Sequence, residues 1–90
     1  MKATEFCYWL RGGFELASIG VFDELQLEII RKHLALVRAT DQDGQPVEAI
    51  EFCSWLRGGV DFIRQGDGQQ AATVRLRLSS VFEHAIDPTY

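Results

Sequence analysis

Apolar residues return at a helical spacing near the start of the chain. On a wheel of about 100° per residue, Phe6, Leu10, Gly13 and Ala17 fall on one face, with Trp9 and Phe14 on its flanks and Tyr8, Arg11 and Glu15 opposite. This predicts an amphipathic helix with a wide apolar face. Thr4 is placed to cap its start and Gly20 its end. A second helix is marked by Asp23 as N-cap with Gln26 three positions on, a capping-box pair, and by Phe22 placed to staple against Leu27. From there Leu25, Ile29, His33, Leu36 and Val37 continue a helical face to Arg38.

The pattern then starts again. EFCYWLRGGF at 5–14 returns as EFCSWLRGGV at 51–60, an offset of 46 at which only Tyr8/Ser54 and Phe14/Val60 differ. Glu15/Asp61, Leu16/Phe62 and Gly20/Gly66 keep their character, and HLALVR is answered by RLSSVFEH after a slip of about one residue. The chain reads as a single domain, 1–90, made of unit A at 3–39, a polar linker TDQDGQ at 40–45, and unit B at 46–86. Pro46 suits the first turn of the third helix and Gly66 its end. TVRLRLS at 73–79 alternates at period two, as a strand would. Val74, Leu78, Val81, Phe82 and Ala85 also keep helical spacing, and a lone strand has nothing to pair with, so helix is expected there too. One helical hairpin cannot bury its own wide apolar face. The expected fold is therefore all-α, two tandem helical hairpins packed as a pseudo-twofold four-helix arrangement.

Composition narrows the function classes. With 47% apolar and 24% charged residues the chain is an ordered globule. At 90 residues it buries a modest fraction of its surface, so its core must be dense or shared with another copy in a homo-oligomer. A net charge of −4 and a pI near 5 argue against binding of bulk nucleic acid or anionic membrane. No apolar run approaches the roughly 18 residues of a membrane span, and a cytoplasmic location is expected. Cys7 and Cys53 sit at the same place in the two repeats and read as small buried hydrophobes. His33 and His84 stand without HExxH or CxxC, so no metal site is expected. No phosphate-binding loop and no nucleophile in a catalytic setting occurs, which leaves no expected cofactor, no catalytic residue and no enzyme activity.

The repeated glycines and their neighbours are the candidate site. A glycine inside a helix costs about 1 kcal/mol relative to alanine, so Gly12, Gly13, Gly58 and Gly59 together represent about 4 kcal/mol, large against a net stability of about 5–15 kcal/mol. Gly13 and Gly59 lie on the apolar face, where a missing side chain suits close helix packing. Gly12 and Gly58 lie nearer the boundary, where bare backbone admits a ligand or partner. Trp9 and Trp55 are either core anchors or stacking surfaces for a base. Arg11 and Arg57 lie on the polar side, each followed at i+4 by an acid, Glu15 or Asp61, in the weaker order for helix pairing. Across a pseudo-dyad the two arginines would hold a pair of phosphates or carboxylates. Arg64, Arg75 and Arg77 read either as a small basic patch or as a solvated helix face.

FCYWLRGGFEL at 6–16 with IIRKHLALV at 29–37 resembles a set of very short phage and prophage proteins that open with an FCYWL-type motif and end a following helix in an HLALV-type run. The resemblance spans roughly the first 40 residues. This chain departs from that pattern in its second copy and in the arginine and two glycines after the leucine. It implies a setting in which small non-enzymatic proteins disarm a host defence within the host cytoplasm. Three readings follow. One is a sponge for a cyclic-nucleotide or ADP-ribose-type signal, with Trp9 and Trp55 stacking bases, Arg11 and Arg57 taking phosphates, and Gly12 and Gly58 giving access. Another is an inhibitor docking on a host defence protein through an acidic helical face. The third is a self-associating structural or regulatory module.

Overall fold

A computed structural model describes residues 1–86. Four helices carry the described residues: α1 (Ala3–Leu16), α2 (Glu24–Leu36), α3 (Val47–Gly59) and α4 (Gly68–Val81). Short 3₁₀ turns at Ala39–Asp41 and Val60–Phe62 and a π turn at Phe82–Ile86 complete them. The described residues contain no strand, and 73–79 lies inside α4. The π turn begins where the Phe82 N–H donates to both the Leu78 and Ser79 carbonyls. The two repeated helices, α1 and α3, pack on each other; α4 packs on both, and α2 packs on α3.

The core shows how the repeat is used. In α1 and α3 the buried positions correspond at the offset of 46: Ala3/Ala49, Phe6/Phe52, Cys7/Cys53, Leu10/Leu56, with Phe14/Val60 just beyond. In α2 and α4 they correspond at 44: Leu27/Ala71, Ile30/Val74, Leu34/Leu78, Val37/Val81. The slip between the two copies is thus two residues, because thirteen positions separate Phe14 from Leu27 and only eleven separate Val60 from Ala71. Phe22 and Phe82, both fully buried, have no apolar counterpart at that offset, where Gly66 and Arg38 stand instead. Phe22 lies with its ring 5.7 Å from that of Phe14, and Phe82 with its ring 5.0 Å from that of Tyr8.

The caps depart in part from the sequence pattern. Asp23 and Gln26 form the expected reciprocal pair, with the Gln26 N–H donating to Asp23 Oδ1 at 2.7 Å and the Asp23 N–H to Gln26 Oε1 at 3.0 Å. Asp67 caps α4 from the corresponding place, accepting from the Gln70 N–H at 3.0 Å. Thr4, expected as the N-cap of α1, lies inside its first turn, and the start of α1 is capped from the linker instead. The Ala3 N–H donates to Gln42 Oε1 at 2.8 Å, and Gln45 Oε1 accepts from the Thr4 N–H at 3.1 Å and the Thr4 hydroxyl at 2.7 Å. Gln42 Nε2 returns hydrogen bonds to the carbonyls of Met1 and Arg38. Residues 40–45 are therefore a cap as well as a connection: they satisfy N–H groups that no turn of α1 can reach.

Gly20 and Gly66, expected at helix ends, stand in the connections; α1 ends at Leu16 and the positive φ falls at Ser18 (50°). Gly66 takes φ 81°, a left-handed turn that glycine adopts without strain, and its N–H donates to the Phe22 carbonyl at 2.9 Å. That bond joins the α1–α2 connection to the α3–α4 connection. The helical face expected on α2 is kept only in part: Val37 is buried, but Leu25 is 65% exposed and Ile29 and Leu36 are exposed, while Leu27, Ile30 and Leu34 are buried. α2 carries two overlapping apolar stripes, and packing against α3 selects between them.

The linker cap has a measurable consequence. Gln42→Ala removes a cap from α1 and the donor serving two carbonyls, and is expected to lower stability by about 1–2 kcal/mol. Urea unfolding should show a lower midpoint with an unchanged m value.

Candidate functional site

Each repeat places its tryptophan at the edge of the core, with one ring face covered from the following helix. Trp9 stacks on His33, with centroids 3.8 Å apart and planes 10° from parallel. The Arg77 guanidinium lies over Trp55 at 4.5 Å. His33 and Arg77 correspond at the offset of 44, so the two copies cover one face of the tryptophan with an imidazole in one case and a guanidinium in the other. His33 Nδ1 lies 2.9 Å from the Ile29 carbonyl, which can only accept, so that nitrogen carries the proton.

The two arginines have separate surroundings. Arg57 reaches the end of α2, where its Nη2 donates to the Leu34 carbonyl at 2.7 Å and the Val37 carbonyl at 2.6 Å. It thus supplies positive charge and a second donor at the C-terminal end of α2, where the Leu34 carbonyl also accepts from the Val37 N–H. Arg11 lies at the corresponding end of α4, beside Leu78 and Ser79. Its guanidinium lies over the rings of Phe82 at 4.1 Å and Tyr8 at 5.0 Å, with Glu15 4.0 Å from its Nε. Asp61, the expected i+4 neighbour of Arg57, pairs with Arg31 at 3.0 Å. Arg11 and Arg57 line different concavities, the first beside Phe14, Leu78 and Phe82, the second beside Arg31, Leu34 and Val60. A side-chain carbon added at Gly12 or Gly58 would meet nothing within 4 Å, so both present open backbone. The six candidate residues therefore do not converge on one concavity.

What the structure does bring together is a pair of apolar grooves. Groove A lies between α1 and α2 and is lined by Trp9, Leu10, Gly13, Gln26, Ile29 and Ile30, with Ala17 and Ile19 at one end. Groove B lies between α3 and α4 and is lined by Trp55, Leu56, Gly59, Gln70, Thr73 and Val74, with Phe62 and Ile63 at the same end. The first six of each set correspond one for one, at 46 in the first helix and 44 in the second. Their volumes are about 180 and 220 Å³.

The expected close helix packing at the second glycine of each pair is not what these positions do. An added carbon at Gly59 would meet nothing within 4 Å, and at Gly13 only Ile19 Cδ1 at 3.8 Å. These glycines keep the groove floors open. The sequence pattern shows Gln26 only as a cap and Ile29 only as a helix-face residue, and does not single out Gln70, because the shorter α3–α4 connection hides the correspondence of α2 and α4. Aligning the two Asp-x-x-Gln caps would have exposed it.

Chemically, the grooves offer apolar walls and an amide, and the tryptophan in each wall carries a guanidinium or an imidazole on one ring face. They suit aliphatic or aromatic side chains of a binding partner. Among the described residues no group of three or more His, Cys, Asp or Glu side chains could hold a metal ion, and no helix is long and apolar enough to cross a membrane. No protein-family model matches the chain, and no curated protein or solved structure matches it either.

Two substitutions test these assignments. Arg57→Ala removes both donors from the end of α2 and is expected to cost about 1–2 kcal/mol in denaturant unfolding. Gly59 has helical dihedrals, φ −108° and ψ −14°. Gly59→Ala is accordingly expected to leave stability unchanged or raise it by up to about 1 kcal/mol, whereas a close-packing role would make it destabilising.

Proposed function

We propose that this chain is a non-enzymatic binding module of the phage accessory kind, which counters a host defence by docking on a host protein through its two equivalent grooves. The observation that carries this is the one-for-one correspondence of the groove linings, floored by glycines that no packing contact requires. The reading includes an approximate dyad between the two helical units, supported by the matched core positions and grooves. The phage setting rests on the FCYWL-type and HLALV-type segments.

The occupant is an amphipathic segment with apolar anchors and a carboxylate. Apolar anchors suit walls of Trp, Leu, Ile and Val, and a carboxylate suits Arg77, whose guanidinium lies over the groove B tryptophan. Two such grooves on one small chain make the contact bivalent, so a partner offering two segments is held more tightly than either groove alone would manage. The nucleotide reading draws less from this geometry, because His33 covers one face of Trp9, Arg77 covers one face of Trp55, and Arg57 is committed to backbone carbonyls. Self-association has an observation of its own: Leu16 and Phe62, matched in the repeat, are 91% and 77% exposed beside the grooves.

Titrating the ¹⁵N-labelled chain with a synthetic amphipathic helix bearing leucine anchors and a flanking glutamate distinguishes these. Docking predicts shifts gathered at Gly59, Val74 and the Trp55 indole, and at least about a tenfold loss of affinity, about 1.4 kcal/mol, in a folded Gly59→Leu variant. No response to the peptide, together with a melting temperature raised by cyclic dinucleotides or ADP-ribose, would favour the sponge. Concentration-dependent sedimentation abolished by Phe62→Asp would favour self-association.

A further inference from the structure

Cys7 and Cys53 occupy the same place in the repeated segment, on two helices packed against each other, and both are buried. The Cys53 S–H donates to the carbonyl oxygen of Ala3 at 3.9 Å, one turn before Cys7 on α1, and the two thiols lie near enough for each to shift the other's titration. The duplication therefore sets two buried thiols on the α1–α3 contact, in segments 46 positions apart.

We propose that Cys7 and Cys53 are a covalent modification site, closed to an intramolecular disulfide by a small hydroperoxide. Two thiols at matched positions on packed helices, one of them already 3.9 Å from the backbone a turn before the other, need a short side-chain and backbone adjustment to reach bonding distance. The two thiols are also unequal. The hydrogen bond with Cys53, then burial, pushes Cys7 far above the ordinary thiol range. The hydrogen bond from Cys7 lowers Cys53, outweighing its burial, and the positive charge of Arg57 adds to the lowering. Cys53 is thus the thiolate that reacts first.

The steps balance. The Cys53 thiolate attacks one peroxide oxygen, the O–O bond breaks, and the departing hydroxide takes a proton to leave as water, with Cys53 now a sulfenic acid. The Cys7 sulfur then attacks the Cys53 sulfur. The S–O bond breaks, the hydroxyl leaves as water with the Cys7 proton, and the S–S bond forms. Two thiols are oxidised by two electrons in all, and one hydrogen peroxide is reduced to two waters. The link ties α1 to α3 one turn from Leu10 and Leu56, which line the two grooves, so oxidation holds the groove walls in fixed relation. It does not depend on what the grooves bind.

The test is treatment of the folded full chain with hydrogen peroxide, followed by intact mass, non-reducing electrophoresis and peptide mapping. The expected product is a monomer lighter by two hydrogen atoms, with the Cys7 peptide joined to the Cys53 peptide and a melting temperature that rises and is restored by dithiothreitol. The pH at which the rate is half-maximal should lie below that of an ordinary thiol. Cys7→Ala should instead gain oxygen at Cys53 and form no internal link; circular dichroism checks that it folds. The proposal is overturned if the folded wild-type chain gains oxygen without losing hydrogen, links only between molecules, or keeps both thiols under conditions that oxidise the guanidinium-unfolded chain.

Discussion

The contact between α1 and α3 is the interaction around which the other elements are arranged. Each helix brings Ala, Phe, Cys and Leu at the same spacing, and all eight side chains are buried. In a chain this short, neither wide apolar face could be covered within its own unit. The pairing of two copies covers both at once and leaves α2 and α4 to close the remaining flanks. Residues 40–45 serve the same closure. A connection between units would need only polar turn residues, yet Gln42 and Gln45 turn back onto α1 and take up its free N–H groups, so connecting the copies and capping the first copy become one structural task.

Identical residues in the two copies come to do different things, and the reason is local. Arg57 donates to the Leu34 and Val37 carbonyls where α2 stops at Leu36 and the chain turns into Ala39–Asp41. Arg11 meets the end of α4 where the chain tightens into the π turn that carries Phe82, and its guanidinium lies over Phe82 and Tyr8. The tryptophans diverge in the same way, with an imidazole stacked on one and a guanidinium on the other. The grooves are the part of the duplication that survives most completely, because Trp, Leu, Gly and Gln recur at matched positions in both, with Ile29 replaced by Thr73 and Ile30 by Val74.

Much of this was legible from residues. The repeated decapeptide, the Asp23–Gln26 cap and the helical spacing of Val74, Leu78, Val81 and Phe82 were enough to place the helices, including α4, whose TVRLRLS segment alternates like a strand. The α2 core face was not legible, since Leu25, Ile29 and Leu36 make as good a stripe as Leu27, Ile30 and Leu34 until α3 selects one. The grooves were half legible. Trp9, Trp55 and the glycine pairs stood out, but the walls from α2 and α4 were hidden by a connection two residues shorter in the second copy. The arginines were conspicuous by repetition, which says that a residue recurs and nothing about what lies within reach of its guanidinium.

The sequence by itself determined that the chain is helical, that it is built twice, and which faces of α1 and α3 are apolar, because those properties follow from residue spacing within a single turn or two. Only the tertiary structure decided which stripe of α2 is inside, where Arg11 and Arg57 end, that Cys7 meets Cys53, and that Gly13 and Gly59 open grooves. Each of these depends on the distance between groups on different helices, and one-dimensional spacing carries no such distance.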